Sequence, residues 1–183
     1  MAIDKVTSAS ITTDAVGPTQ LNEASNYAFT GTVTGASAGA NTPSFFVYKN
    51  ASQTLSDATA TKITWTTEVF DTASAFASDK FTVPSGQDGK YFLSFASHVY
   101  DSSEKITSSN KSFRKNGSQV AELSRNDGTY EFVTDNRIIS IILDLVAGDY
   151  IETYVYANTT DNTAAQIYGE SQYYTYFQGF KLA

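Results

Sequence analysis

The chain has 183 residues, a formal net charge of -7 and no cysteine, so it has room for one ordinary domain plus an appendage. The acidic balance disfavours general attraction to nucleic acid or anionic lipid, and without cysteine there is no disulfide, thiolate metal site or thiol nucleophile. Apolar residues make up 41% of the chain and aromatic residues 14%, and Thr, Val, Ile, Tyr and Phe prefer a pleated, half-buried surface, which predicts an all-β fold.

Residues 1–40 are rich in Ala, Ser, Thr and Gly, with thinly spaced apolar positions that include Ile11, Val16 and Leu21. Their five-residue spacing fits neither helix nor regular strand, and GASAGA (35–40) reads as a linker. These residues bury too little to fold alone and read either as a disordered tail or as an arm that orders against a partner, with Ile11, Val16 and Leu21 as its anchoring side chains. No apolar run long enough for a membrane helix occurs, and MAIDKVTSAS has no signal-peptide pattern, so neither membrane insertion nor the usual secretory route is expected.

Residues 41–183 read as the folded domain. SFFVY (44–48) is a first strand, KITWT (62–66) and EVF (68–70) are the next extended run, and a short strand covers Lys80 to Val83. PSGQDG (84–89) is a dense turn signal. Tyr91 to Tyr100 is a long strand with aromatic residues on both faces, so it lies between two cores or between a core and an interface. Asn116-Gly117 predicts a hairpin, because both positions accept positive φ. RIISIILDL (137–145) is the most apolar strand, VAGDY (146–150) turns it into Ile151 to Ala157, and residues 172–182 form a further strand. That strand must pair with something, commonly the first one. Short strands at regular spacing with polar turns imply a sandwich or barrel.

Trp65, Asp71, Phe76, Phe81, Pro84, Gly89, Tyr91, Leu93 and Phe95, followed by KNG (115–117), LVAGDYI (145–151) and FQGFKL (177–182), resemble the C1q/TNF-like family, specifically the C1q globular domain. Trp65 stands where that pattern has Phe, Leu93 replaces an aromatic, the Phe76–Phe81 spacing is short, and Gln87 and Asp88 lengthen a turn. The resemblance implies a ten-stranded jelly-roll sandwich that assembles as a homotrimer. The 12 Tyr and 12 Phe agree that a partner covers part of the surface, and Tyr154, Tyr156, Tyr174 and Tyr176 are the candidate interface residues. SASITTDAVGPTQL (8–21) and FTGTV (29–33) resemble segments of bacteriophage fibre and other virion proteins.

Catalytic chemistry is weakly supported. Ser97, His98 and Asp101 contain the residue types of a triad, but neighbours on a strand alternate faces and do not converge. His98 is the single histidine, so no multi-histidine metal site exists. No cofactor is expected. Calcium is the ion the hard oxygen ligands would favour, and some members of the resembled family bind it at the top of the trimer. The expectation is therefore a non-enzymatic protein of the virion surface: a trimeric C1q-like spike or fibre head, held to other virion proteins by residues 1–40. It would bind a host surface glycan or protein through loops 49–60, 101–110 and 158–170, by avidity. The alternatives are a capsid decoration or cement protein, a secreted C1q-like lectin or ligand, and a glycan depolymerase.

Overall fold

The computed structural model describes residues 41–103, 105–128, 130–170 and 174–182, all within the unit spanning Gly39–Ala183. Ile11, Val16 and Leu21 lie outside the described residues. The first strands are β1 (Ser44–Tyr48), β2 (Gln53–Thr54), β3 (Thr61–Lys62), β4 (Thr67–Asp71), β5 (Phe76–Ala77) and β6 (Lys80–Thr82). The long strands follow as β7 (Gly89–Tyr100), β8 (Ile106–Lys115), β9 (Ser118–Asn126), β10 (Thr134–Leu145) and β11 (Tyr150–Thr159), then β12 (Gln166–Ile167) and β13 (Tyr176–Lys181).

They form two antiparallel sheets. In the seven-stranded sheet, β10 pairs along the whole of β7, and the other edge of β7 is shared by β13 and β12. β13 also pairs with β1, which pairs with β4, so the predicted partnership of first and last regions is present. The six-stranded sheet runs β5-β6-β11-β8-β9, with β3 also on β11. Among the described residues no helix is present.

The residues that carry the family resemblance meet in one aromatic core. Phe45 stacks on Phe76 at 5.2 Å and on Phe81 at 4.8 Å, and meets Phe177 edge-on at 4.8 Å. Trp65 packs against Phe95 of β7 and Phe177 of β13 at 5.9 and 6.1 Å, so the larger ring fills space against both strands. Asp71 acts as a turn cap: its carboxylate accepts the Phe76 N–H at 2.7 Å and the Ala73 N–H at 3.2 Å. The short Phe76–Phe81 spacing is a tight hairpin in which those two residues are cross-strand partners. Its two turn residues, Ser78 and Asp79, hold φ of 52° and 58°, and Asp79 accepts the Trp65 N–H at 2.7 Å. Gly179 admits no larger residue without displacement, since a Cβ there would lie 2.7 Å from Leu93 and 2.9 Å from Phe45. The Asn116-Gly117 hairpin is also as expected, with φ of 51° and 82° and Lys115 opposite Ser118.

Candidate interaction surface

Strand alternation gives the two sheets unlike outer faces. On the seven-stranded sheet, the residues turned away from the core include Phe46, Phe92, Ala96, Ile138, Ile142 and Tyr176. Phe46 touches Phe70 at 6.3 Å and Tyr176 at 5.8 Å, and Phe92 touches Phe180 at 5.4 Å. Phe70, Ile138 and Ile142 are 45%, 54% and 55% exposed, at opposite flanks of the sheet. Between them the central strands present small or uncharged groups, among them Ser94 hydrogen-bonded to Ser140 at 3.0 Å. Exposed apolar side chains gathered on one sheet face are the kind of surface a partner can cover.

The six-stranded sheet is dressed for water. Lys62 bridges Glu152 at 2.8 Å, Arg114 lies over the Tyr154 ring at 3.9 Å, and Lys80 lies over Tyr150 at 4.5 Å. The four tyrosines singled out from the sequence therefore divide. Tyr154 and Tyr156 stand on the outer face of β11, whereas Tyr176 lies in the apolar stripe and Tyr174 just precedes β13 beside His98. Sequence spacing placed all four on strands but gave no means of assigning sheets.

Ser97 and His98 point to opposite sides of β7: Ser97 is fully buried toward the core, and His98 faces outward. His98 lies 5.4 Å from both Tyr168 and Tyr174, which meet each other edge-on at 5.4 Å. Both ring nitrogens of His98 are buried without a hydrogen-bond partner. Burial, assisted by the Lys111 charge and opposed by Asp135, lowers its pKa, which keeps the imidazole neutral at pH 7. Asp101 serves its own loop, accepting the N–H groups of Ser103 and Lys105, each at 3.1 Å. Among the described residues no group of three or more His, Asp or Glu gathers as a metal site.

The loops proposed for contact come together at one end. Asp57 accepts the Thr159 N–H at 2.8 Å, the Thr160 N–H reaches the Lys105 carbonyl at 3.0 Å, and the Leu55 N–H reaches Ala165 at 2.8 Å. Their extents need correction. Ile106–Asn110 is not loop but the start of β8, because Ile106 alternates into the core, and residues 166–167 are strand β12.

One charged cluster went unread in the sequence. Lys111, fully buried on β8, pairs with Asp135 of β10 at 3.0 Å and so ties the two sheets together. Arg137 adds bonds to the same carboxylate at 2.5 and 2.7 Å, and the Ser109 hydroxyl donates to it as well. Burial opposes the Asp135 charge, but Arg137, Lys111 and Ser109 outweigh it and hold the carboxyl at about 2. Burial also pulls Lys111 down to about 8 against the attraction of Asp135.

No protein-family model matches the sequence, and no curated protein does. Solved structures do match the fold. The Eiger TNF structure from S. frugiperda aligns with a TM-score of 0.58 at 12% identity, over 76% of this chain and 92% of that one. Murine APRIL at pH 5.0 gives 0.56 at 14% identity, over 76% and 98%. The globular domain of zebrafish complement 1qA gives 0.51 at 17% identity, over 77% and 98%. The chain thus has the C1q/TNF-like jelly-roll fold, with a strand count close to the expected ten once the two-residue strands are set aside.

Proposed function

We propose that this chain is a non-enzymatic, homotrimeric structural protein of a bacteriophage virion, whose jelly-roll domain forms a spike or fibre head on the particle surface and binds the host. The observation that carries the trimer is the outer face of the seven-stranded sheet, where Phe70, Ile138 and Ile142 are exposed and Phe46 and Tyr176 are half-buried. Its two apolar flanks differ, so a head-to-tail contact can set the Ile138–Ile142 flank of one copy on the Phe46–Phe70 flank of the next. Such a heterologous contact closes a ring when its rotation fits. The family resemblance supplies the ring size of three. The virion setting is supported by the fibre-like stretches at 8–21 and 29–33, with residues 1–40 as the arm that binds other virion proteins. An extended arm of that length reaches at most roughly 120–140 Å, which suits a short spike. The three loops gathered at one end of each sandwich would be presented together, so that weak sites add by avidity.

The deciding measurement is mass in solution by sedimentation equilibrium at micromolar concentration. The expected species has three times the 19.8 kDa chain mass. A single species at the chain mass would overturn the assembly and the avidity that depends on it.

A further inference from the structure

We infer that the aromatic cleft beside Tyr100 is a binding site for neutral saccharides. The inference rests on the host-binding reading above and gives its ligand a chemical class. Two clefts share Tyr100 as a wall, one of about 370 Å³ and one of about 270 Å³. The first is walled by Tyr168 and Tyr174, set edge-to-face at 86°, over the His98 ring. The second brings Ser102 and Gln166 to the same tyrosine.

The lining chemistry selects the ligand. A pyranose has an apolar C–H face and a rim of hydroxyls that both donate and accept. The two tyrosine rings offer flat apolar walls, already packed on each other and on His98, so they lose little freedom on binding. The hydroxyls of Thr134 and Ser102 and the amide of Gln166 supply uncharged groups that donate and accept in turn. A few polar groups in a mostly apolar concavity are what a small-molecule site needs. Charge narrows the choice further. Tyr168 donates to Glu170 at 2.6 Å, which places an exposed carboxylate at the rim, and the chain carries -7 overall, so an acidic sugar is repelled. The Asp101 carboxylate, which accepts the Ser103 and Lys105 N–H groups, keeps its negative charge beside the second cleft and adds to the repulsion of an acidic sugar. The His98 ring at the floor is held toward its uncharged form by burial.

The site stands where β7 ends and β10 begins, in the same end of the sandwich as the gathered loops. Its residues His98, Tyr100 and Thr134 share the outer face of the seven-stranded sheet with Ile138 and Ile142, so the site would border the contact between copies at the end where the loops proposed to meet the host gather.

The test is saturation-transfer NMR on the full chain. The probes are the methyl glycosides of mannose, glucose, galactose and N-acetylglucosamine, with sialyllactose and tetramethylammonium as the charged alternatives. The expected result is transfer to at least one neutral glycoside, with affinity falling about tenfold in Tyr174→Ala and in Gln166→Ala. Gln166 is exposed, so its variant folds whatever the fate of the tyrosine. Transfer to none of the neutral glycosides, transfer only to a charged probe, or equal binding by both variants overturns the assignment. Sedimentation of the same samples separates this from the trimer. A monomer that binds sugar keeps the site and removes the assembly, and a Tyr174→Ala variant that dissociates shows that the ring belongs to the contact between copies.

Discussion

Asp135 is the residue on which the sandwich interior depends most visibly. It lies almost wholly out of water between two cations that share one carboxylate. Its folded pKa of about 2 lies below the ordinary aspartate value of 3.8, so its contribution is complete above the unfolded value and disappears as pH falls through the folded one. That difference corresponds to about 2 kcal/mol. Asp149 behaves alike, held at about 2 by Lys115, by the Val146 N–H and by Asn116 at the turn between β10 and β11. Denaturant unfolding should therefore show a steep fall in stability between about pH 4 and pH 2, preceded by a smaller fall below the ordinary histidine value from His98, and a rise above about pH 8 as Lys111 loses its proton in the folded state first. In Asp135→Asn the starting stability is lower, because Lys111 and Arg137 face each other without their counter-ion, and the acid-dependent fall is shallower. An unchanged acid profile in that variant would show that the pair contributes little.

At the level of strands, much of the fold was legible in the sequence because local chemistry and burial agreed. Asn116-Gly117 and Gly148-Asp149 turned the chain where expected, and the aromatic spacing from Trp65 to Phe95 marked the inward positions. What escaped was non-local. The Ser78-Asp79 turn contains no glycine, and its positive φ values are sustained by a carboxylate bonded to Trp65, 14 residues back in the chain. Lys111 reads as a surface residue in a run of Ser and Asn, because its counter-ion is 24 residues away on the opposite sheet. The partition of tyrosines between sheets was hidden for the same reason: period-two alternation gives a face, but only pairing says of which sheet. β10 makes this concrete. Its outward Ile138 and Ile142 would be costly on a solvent face, and the proposed contact covers them. Ile138→Lys combined with Ile142→Lys should leave far-UV circular dichroism of β type while shifting sedimentation to the chain mass. A double variant that still sediments as a trimer would place the contact elsewhere.

For the whole molecule, the proposed division of labour is between residues 1–40, which hold the particle, and residues 41–183, which assemble and bind. Removal of residues 1–40 is expected to leave a species of three times the shortened chain's mass, since the side chains proposed to make the contact, among them Ile138 and Ile142, lie in residues 41–183. The same deletion should abolish co-purification with assembled particles. Loss of the trimer on deletion would instead make the arm part of the assembly. A different consequence follows from β13, which sits between β1 and β7 and bonds to both. A ribosome that quits before Tyr176 releases a polypeptide with a vacant slot through the middle of its larger sheet, bordered by two bare edges. We expect such fragments to be caught by proteases and chaperones, so that synthesis is audited by the architecture itself and unfinished copies are kept from joining finished ones.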